Sequence, residues 1–418
     1  MRFQAPRGTE DVLPGQSHRW QRLEAEFRAL TSLYGYQEIR TPTFEDTELF
    51  ARTAGETSDI VTKQMYSFED KGGRNITLKP EGTAPAMRAL IEHNLCPPGS
   101  VVRLSYISSF FRYERPQKGR YRELHQLGLE LVGSKGAMAD AEIIEISAKF
   151  YQRLGISNVE AHLNCLGRDE CRARYREAIL KYAEPILRGE SEEIRAKAEK
   201  NPLRLLDSKD PAMIEAMRDV PPILDYLEDD SRAHFEEVQQ LLTDAGVPFS
   251  VKSDIVRGLD YYTGTVFEIL STKLGAQSAL CGGGRYDNLI KELGGSDTPS
   301  VGVGMGVERV LMVLQEEGID WAAPVAEAFV AYTGPDTRAR ALSVASNLRE
   351  TGVSVVMDPE GRSLKAQLRQ ADKLGARYVV LVGEEELAKG VVSVRILETG
   401  DQQEMAVAQL FAMMQESS

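Results

Sequence analysis

The sequence predicts an α+β fold made of hairpin-paired strands and helices, followed by a helical insertion and then by an α/β domain. Three stretches of the 418-residue chain carry this prediction. Residues 110–131 have the pattern of two strands joined by a basic loop. Residues 168–230 are rich in charge, helical in pattern and punctuated by prolines. From residue 328 onward strand and helix patterns alternate, which is typical of a mostly parallel sheet with flanking helices.

Charge and cysteine content restrict the classes of protein that fit. The net charge of -13 repels phosphates, so any contact with nucleic acid requires local basic patches. The four cysteines are widely spaced without a CxxC pair, and the five histidines lack zinc-type spacing. We therefore expect a reducing compartment and no metal site built by the protein alone. No apolar run approaches the roughly 20 residues that a membrane-spanning helix needs, so we expect a cytoplasmic protein without a membrane partner.

The first of the three stretches, FFRYERPQKGRYRELHQLGLEL, sorts its residues by strand alternation. Gln126, Gly128 and Glu130 share one face of the second strand, and the opposite face is a row of leucines. In the first strand, Arg112 and Glu114 are predicted to share a face. The connecting loop carries positive charge on Arg115, Lys118, Arg120 and Arg122. Two interpretations remain open: a site for a phosphate-rich partner, or a solvated hairpin whose charges discourage aggregation.

Upstream of this hairpin, two segments also allow two interpretations each. A helix is predicted over 17–34 and a strand over 36–40, and Pro42 indicates a sheet edge that is either a subunit interface or part of an ordinary core. A second hairpin, with its turn at Gly72-Gly73, leads into Pro80-Glu81-Gly82-Thr83 before a helix over 84–93. These four residues fit the chemistry of a helix start, or a carboxylate and a hydroxyl placed to hold an ammonium group.

Two glycine-rich blocks follow the helical insertion. A strand over 261–270 is predicted to place Tyr262 and Glu268 on one face, either in the core or facing a ligand, with Arg257 in the preceding turn. Gly282–Gly284 permit close approach of a ligand to the backbone. The stretch VGVGMGVERV is not a GxGxxG motif, so we predict no dinucleotide site. Arg309 lies in the first helical turn, which is unfavourable for the helix dipole and favours a separate role.

Five ordered blocks resemble those of a class II aminoacyl-tRNA synthetase. Residues 34–42 resemble motif 1, FRYERP through QLGLEL motif 2, and GVGMGVERV motif 3. RGLDYY and GGGRYD are similar to the two signature sequences of histidyl-tRNA synthetases, and the resemblance covers nearly the whole chain. It implies a class II catalytic domain over 1–323, with an antiparallel sheet flanked by helices and a helical insertion at about 168–230. It also implies an anticodon-binding α/β domain over 328–418, and a homodimer.

The resemblance further implies an activity and a set of roles. The family joins L-histidine to ATP as histidyl-adenylate, releasing pyrophosphate, and then transfers the histidyl group to tRNA(His), releasing AMP, with Mg²⁺ accompanying ATP. Arg257 and Arg112 would be catalytic, because a carboxylate attacking an α-phosphate requires charge neutralisation. The implied ATP-binding residues are Arg112, Glu114, Arg120 and Arg309. The implied histidine-binding residues are Glu81, Thr83, Gln126, Glu130, Tyr262 and Tyr286, with Glu130 and Tyr262 at the imidazole nitrogens.

The implied tRNA contacts lie in two places. Arg115 and Gln117 match positions that read the extra guanine at the 5′ end of histidine tRNA. In the C-terminal region Arg362, Lys365, Arg369, Lys373 and Arg377 recur every three or four residues, opposite an apolar face, which fits either phosphate contact or a solvated surface. The insertion is interpreted as a tRNA-holding element rather than an editing domain, because a site that hydrogen-bonds a polar side chain rejects analogues by about 10⁴ to 10⁵.

One residue departs from the family pattern, and one relative is a rival. Leu124 stands where the family usually has a phenylalanine stacked on adenine, so we expect weaker stacking. The rival is the synthetase-like regulatory subunit of ATP phosphoribosyltransferase, a histidine-sensing binding module that typically lacks catalytic residues and the tRNA-reading domain. Because Arg112, Arg257 and Arg309 are all present, we expect the ligase.

Overall fold

The chain divides into two compact units, Met1–Trp321 and Ala322–Ser418. The computed structural model describes residues 3–54, 58, 60–117, 119–200, 202–206, 210–253, 255, 261–271 and 279–416. Arg257 and Lys118, both singled out in the sequence, lie outside the described residues. Each unit has its own sheet and its own hydrophobic core.

The first unit contains most of the helices and strands. In chain order they are α1 (Pro14–Leu33), β1 (Gln37–Glu38), β2 (Phe44–Asp46), α2 (Thr47–Ala54), β3 (Tyr66–Glu69), β4 (Asn75–Leu78), α3 (Thr83–Glu92), β5 (Val102–Phe111), β6 (Glu123–Val132), α4 (Ala137–Arg153), β7 (Val159–Cys165), α5 (Asp169–Leu187), α6 (Glu192–Lys200), α7 (Pro211–Met217), α8 (Asp229–Asp244), β8 (Phe249–Val251), β9 (Thr265–Ser271), β10 (Ala279–Arg285), α9 (Leu289–Glu292), β11 (Ser300–Gly306) and α10 (Val307–Glu316). Between β7 and β8, the described elements are all helical.

A sheet of eight described strands organises this unit, in the order β1-β5-β6-β11-β10-β9-β7-β8. The predicted antiparallel pairing holds through its centre. The two edge pairs, β1 with β5 and β7 with β8, are parallel. The chain runs from β1 to β5 through α2 and α3, and from β7 to β8 through α5 to α8, and such long helical connections allow parallel pairing.

The two faces of the sheet differ as the alternation in β6 predicted. Leu127, Leu129 and Leu131 are at most 1% exposed and belong to the main core. On the opposite face, Glu130 pairs across the sheet with Gly302, and Gly128 pairs with Gly304. Glycines therefore leave a strip of this face without side chains, which opens a floor on which a ligand can lie.

Two predicted strands are shorter than expected: one ends earlier and the other begins later. β5 stops at Phe111, so Arg112 and Glu114 lie beyond the strand and their shared face does not follow from strand alternation. The Glu114 amide instead donates to the carbonyl of Arg112 at 2.7 Å, which closes a tight turn. β9 begins at Thr265 rather than at residue 261, because Gly264 has a φ of 63°, a left-handed conformation that interrupts an extended strand. Tyr262 and Glu268 thus do not share one strand.

A small antiparallel sheet in the order β2-β4-β3 stands apart from the large one. The predicted hairpin with its turn at Gly72-Gly73 is the β3-β4 pair, in which Glu69 lies opposite Asn75. Its Thr77 is fully buried and exchanges hydrogen bonds with Thr47 and Ser67, both at 2.7 Å. Because β4 leads into α3, this sheet places residues 80–83 at the edge of the site described below.

The second unit has the predicted α/β pattern. Its elements are β12 (Ala328–Tyr332), α11 (Pro335–Glu350), β13 (Val355–Met357), α12 (Leu364–Lys373), β14 (Tyr378–Val382), α13 (Glu384–Lys389), β15 (Val391–Ile396), β16 (Gln402–Ala406) and α14 (Val407–Glu416). The sheet order is β13-β12-β14-β15-β16, with the first three strands parallel and the last two antiparallel. No helix among the described residues of either unit is long and apolar enough to cross a membrane.

Candidate active site

A cavity of about 310 Å³ opens on the glycine-bearing face of the large sheet. Four described residues with a predicted role in binding ATP line it, together with one predicted to bind histidine: Arg112, Glu114, Arg120, Arg309 and Gln126. Leu124 lies in the same lining, as do Glu268, which the sequence left either in the core or facing a ligand, and Glu308, which had no predicted role. The structure therefore brings residues from β6, β9, β10, β11, α10 and the β5-β6 loop to one place.

Two arginines of the cavity are held by backbone carbonyls. Arg112 Nε donates to the carbonyl of Pro80 at 2.8 Å, and Arg309 Nη1 donates to the carbonyl of Ala279 at 2.9 Å. Both side chains are half-buried. Arginine stays charged at every physiological pH and meets two oxygens at once, so a pair of fixed guanidinium groups suits a polyphosphate.

The β5-β6 loop beside the cavity is held to the N-terminal segment. The Arg122 amide donates to the carbonyl of Gly8 at 2.7 Å, and its guanidinium lies 4.0 Å from the centre of the Tyr113 ring. This arginine thus packs against the protein, whereas Arg115 and Gln117 are exposed. Of the other positive charges in this loop, Arg120 has its Nη1 4.0 Å from Glu114 Oε2.

Glu130, at the centre of the same face, is fully buried and accepts three hydroxyl hydrogen bonds. Thr83 Oγ1 donates to its Oε1 at 2.8 Å, Tyr106 OH donates to Oε1 at 3.2 Å, and Tyr286 OH donates to Oε2. We call Glu130 with these three residues the hydroxyl cage. It contains three of the predicted histidine-binding residues, and Tyr106 is an addition.

Burial has a large effect on the acidity of this carboxyl group. It raises the pKa of Glu130 to about 8, because desolvation outweighs the stabilising hydrogen bonds from Tyr286, Thr83 and Tyr106. The nearby charge of Glu81 acts in the same direction as burial. A cation beside Glu130 would offset both effects, so the surroundings of this carboxyl group favour a positively charged ligand.

Glu81 is hydrogen-bonded to the start of α3. Its two oxygens accept the amides of Thr83 at 2.7 Å and Ala84 at 2.9 Å, so helix-start chemistry is observed at this position. Burial raises the pKa of Glu81, opposed by those amides and by the charge of Arg112. An ammonium-binding role for Glu81 is compatible with these bonds, because each carboxylate oxygen has more than one lone pair.

Three glycines create the space for the hydroxyl cage. A Cβ atom on Gly302 would lie 1.9 Å from Glu130 Oε2. A Cβ atom on Gly128 or on Gly82 would lie 2.0 or 2.4 Å from Cζ of Tyr106. All three distances are far below a van der Waals contact, so the absence of these side chains is a condition for the cage.

Tyr262 reaches the same region through aromatic contacts. Its ring centre is 4.7 Å from that of Tyr261, whose ring is in turn 5.6 Å from Tyr286 in an edge-on arrangement. Its backbone carbonyl accepts a bond from Arg172 Nη1 of α5 at 2.9 Å. The predicted tyrosines 262 and 286 therefore lie in one aromatic cluster.

His125, between Leu124 and Gln126, has structural contacts. Its Nδ1 lies 2.8 Å from Glu308 Oε1, its amide donates to the same oxygen, and its ring meets Trp20 edge-on at 4.8 Å. These bonds connect β6 to the first turn of α10. Among the described residues, no group of three or more His, Cys, Asp or Glu side chains is arranged to hold a metal ion.

Tyr106 and Glu308 were not predicted as site residues, and the place of Glu268 was left open. Tyr106 lies opposite Gly128 in the β5-β6 register, and a pairing of strand positions is not visible before the register is known. Glu268 lies opposite Gly282 in the β9-β10 register. Its alternation was noted, yet its place in the cavity depends on β10 and on where β9 begins.

Three of the five basic residues of the predicted stripe lie on the surface of α12. Lys365, Arg369 and Lys373 are exposed, while Ala371 is fully buried. Arg362 precedes the helix, and its guanidinium is bonded to Asp358 and Gln370. Arg377 lies beyond the end of the helix, and both it and Arg362 are exposed as well.

Taken together, the glycine-floored antiparallel sheet and the paired arginines define the catalytic domain of a class II aminoacyl-tRNA synthetase. A family model for histidyl-tRNA synthetase matches residues 8–310, and one for an anticodon binding domain matches residues 327–417. The chain belongs to the histidyl-tRNA synthetase family. The predictions of this family, of its fold and of a ligase are confirmed.

Individual relatives are similar to this chain over nearly its full length. Histidine--tRNA ligase of Caldanaerobacter subterraneus subsp. tengcongensis is 46% identical over 98% of this chain and 99% of its own. That of Caldicellulosiruptor saccharolyticus is 47% identical over 96% of each chain. Apo histidyl-tRNA synthetase of S. aureus superposes with a TM-score of 0.85 and 33% identity, covering 99% of this chain and 100% of that one.

Proposed function

We propose that this chain joins L-histidine to tRNA(His) in two steps, through a histidyl-adenylate, with release of pyrophosphate and then AMP. The observation that carries the proposal is the hydroxyl cage beside the arginine-lined cavity. The hydroxyl cage suits a small cationic group, and the cavity suits a polyphosphate. The family and the full-length similarity to histidine--tRNA ligases support the same activity.

Histidine would lie between the two carboxylates. Its α-ammonium group would be held by Glu81, Thr83 and Gln126, and its imidazole by Glu130 and Tyr262, with Tyr286 fixing Glu130. A buried site that hydrogen-bonds the substrate side chain leaves its own polar groups unpaired when an apolar analogue binds. Rejection of other amino acids would follow without an editing step.

ATP would occupy the cavity on the glycine floor. Arg112 would bind the α-phosphate and Arg309 the γ-phosphate, with Arg120 nearby and Leu124 giving apolar but not aromatic cover to adenine. Arg257 remains a proposed catalytic residue on its signature sequence alone. The carboxylates of Glu114 and Glu268 line the cavity and offer the hard oxygen ligands that Mg²⁺ prefers, so they fit a magnesium ion brought by ATP. When bound, the ion would neutralise phosphate charge.

The tRNA would meet each unit separately. Arg115 and Gln117, exposed in the β5-β6 loop, would contact the acceptor end. Lys365, Arg369 and Lys373 on α12 would contact phosphates near the anticodon, and the helices between β7 and β8 would help to hold the tRNA. A local basic surface is the expected device for an acidic protein that binds nucleic acid.

The active form would be a homodimer. By strand register, one face of the small sheet carries Phe44, Tyr66, Phe68, Ile76 and Leu78, with Asp46 as its one charged residue. Phe44 is 52% exposed and Phe68 is 47% exposed. Exposed aromatic side chains on the same face of one sheet favour burial against another surface, and a second copy of the chain is the occupant we propose.

The proposed activity is tested by exchange of pyrophosphate into ATP, measured separately with each of the twenty amino acids. We expect exchange with histidine alone, and a rate about 10²- to 10³-fold lower for Arg112→Ala, as is typical when a stabiliser of developing charge is removed. Histidine binding without any exchange would instead favour the regulatory subunit. A solved chain described as an ATP phosphoribosyltransferase regulatory subunit/histidyl-tRNA synthetase from Bacillus halodurans is 24% identical with a TM-score of 0.67, which bears on the fold alone.

A further inference from the structure

A buried ionic cluster lies one residue away from Tyr286 in the chain. Its members are Asp140 in the first turn of α4, Arg285 at the end of β10 and His234 on α8. Asp140 is 0% exposed and Arg285 is 4% exposed. Charges at this depth require close pairing, and an apolar replacement of similar volume is often at least as stable. Stability alone therefore does not account for the cluster.

Arg285 is held by all of its donors. Its Nε bonds one oxygen of Asp140 at 3.1 Å, and its Nη2 bonds the other. Nη1 bonds the carbonyl of Ser134 at 2.9 Å and Oδ1 of Asp287 at 3.1 Å. Nη2 also bonds the carbonyl of Gly136 at 3.3 Å. A guanidinium has five N–H groups, so these five bonds fix its position completely.

The backbone of this strand end then fixes the two tyrosine segments of the amino-acid pocket. The carbonyl of Arg285 accepts the amide of Thr263, next to Tyr262, at 2.6 Å. The amide of Tyr286 donates to the carbonyl of Ser300 at 2.8 Å, and its hydroxyl donates to Glu130. Displacement of Arg285 would thus move both Tyr262 and Tyr286.

His234 connects this arrangement to the helices between β7 and β8. Its Nε2 lies 3.1 Å from Asp140 Oδ2, and its side chain is 24% exposed. A cavity of about 370 Å³, lined by His234, Arg285 and Thr263 among others, borders the cluster. Burial alone would raise the pKa of Asp140, but Arg285 and His234 outweigh it and lower the pKa, so Asp140 remains an anion at neutral pH.

We propose that Asp140, Arg285 and His234 form a positioning device, through which the helices between β7 and β8 set Tyr262 and Tyr286 for histidine binding. The inference rests on the proposed function of the amino-acid pocket. None of the three residues touches the substrate. Their effect is on the affinity for histidine and not on the binding of ATP, whose cavity is lined by other residues.

The deciding experiment is pyrophosphate exchange with His234→Ala. We expect the KM for histidine to rise about 3- to 30-fold, the range typical of residues that act through a contiguous network. The KM for ATP and the melting temperature should stay near those of the wild type. His234→Gln keeps a donor near the position of Nε2 and should restore most of the affinity. Arg153→Ala, which removes a 3.2 Å ion pair between α4 and α1, is the matched control and should change neither KM.

Asp140→Asn tests the contact between Asp140 and Arg285. We expect the KM for histidine to rise more than the KM for ATP. If this variant fails to fold because Arg285 loses the negative charge of Asp140, His234→Ala still decides the question. Equal changes in both KM values, or none, in a folded His234→Ala variant would overturn the inference. An absence of histidine-dependent exchange in the wild type would instead overturn the proposed function, so the two failures are distinguishable.

Discussion

Glu130 is a buried carboxylate whose described hydrogen bonds all come from hydroxyl groups. Since its pKa is raised from 4.5 to about 8, the folded protein holds a proton between these pH values that the unfolded chain has released. Stability should therefore fall as the pH rises from about 4.5 to 8, and should change no further from this group above that range.

Replacement of Glu130 by Gln tests this linkage, because the amide does not titrate. We expect urea unfolding at pH 5, 6.5 and 8 to show a weaker loss of stability with pH in Glu130→Gln than in the wild type. Glu404→Gln, which alters an exposed carboxylate, is the control and should follow the wild type. Parallel curves for Glu130→Gln and the wild type would show that this carboxyl titrates normally.

Gly302 offers a second prediction for a single residue. The new Cβ atom of Gly302→Ala would displace the Glu130 carboxylate, so we expect a rise in the KM for histidine of at least about tenfold, equal to roughly 1.4 kcal/mol. In the matched variant Gly304→Ala, two residues along β11, the Cβ would lie 3.5 Å from Gln126 Oε1. This ordinary contact should cost less histidine affinity. Equal effects of the two variants on pyrophosphate exchange would contradict the steric argument.

Single residues also show what the sequence alone could predict. The faces of Gln126 and Glu130 followed from strand alternation, because β6 is long and one face is entirely apolar. Tyr106 could not be found in this way, since its role depends on the register with β6 and on Gly82 in a distant segment. From the sequence, Arg122 was grouped with the other positive charges of the β5-β6 loop. Its stacking on Tyr113 is a tertiary contact, which leaves no local signal in the sequence.

At the scale of elements, helices and strands with strong periodicity were predicted closely. α1 covers Pro14–Leu33 where 17–34 was predicted, and α3 covers Thr83–Glu92 where 84–93 was predicted. The errors lie at strand ends, where a local turn overrides alternation, as at Gly264. The parallel edge pair of β7 and β8 could not be predicted, because a three-residue strand has too few positions to indicate its partner.

A prediction at the scale of elements concerns tRNA binding by the basic residues of α12. Replacing Lys365, Arg369 and Lys373 together with alanine should raise the KM for tRNA in aminoacylation. It should also reduce the slope of log affinity against log salt by about one for each phosphate that the protein no longer neutralises. Histidine-dependent pyrophosphate exchange without tRNA should be unchanged.

The control for α12 is the double variant Lys389→Ala and Arg395→Ala, which removes positive charge elsewhere in the second unit. If this control weakened tRNA binding as strongly as the triple variant does, the effect would be one of general charge. An unchanged salt dependence in the triple variant would identify the stripe as a solvated face.

At the scale of the whole molecule, we propose that a homodimer forms through the face of the small sheet that carries Phe44 and Phe68. Phe44→Asp combined with Phe68→Asp places further charge on this face, so we expect sedimentation equilibrium to show monomers where the wild type is dimeric. Leu342→Asp, at a side chain that is 57% exposed on α11, is the control and should not alter the mass. A monomeric wild type, or a dimer that persists in the double variant, would contradict this assignment.

For the design of inhibitors, the hydroxyl cage sets a chemical preference. Thr83, Tyr106 and Tyr286 supply Glu130 with hydrogen bonds but with no positive charge. A compound whose ring carries a permanent cation would provide that counter-charge, whereas a neutral ring of the same shape would leave the carboxyl group protonated and gain only packing. Affinity should therefore follow the charge of the ring more closely than its outline.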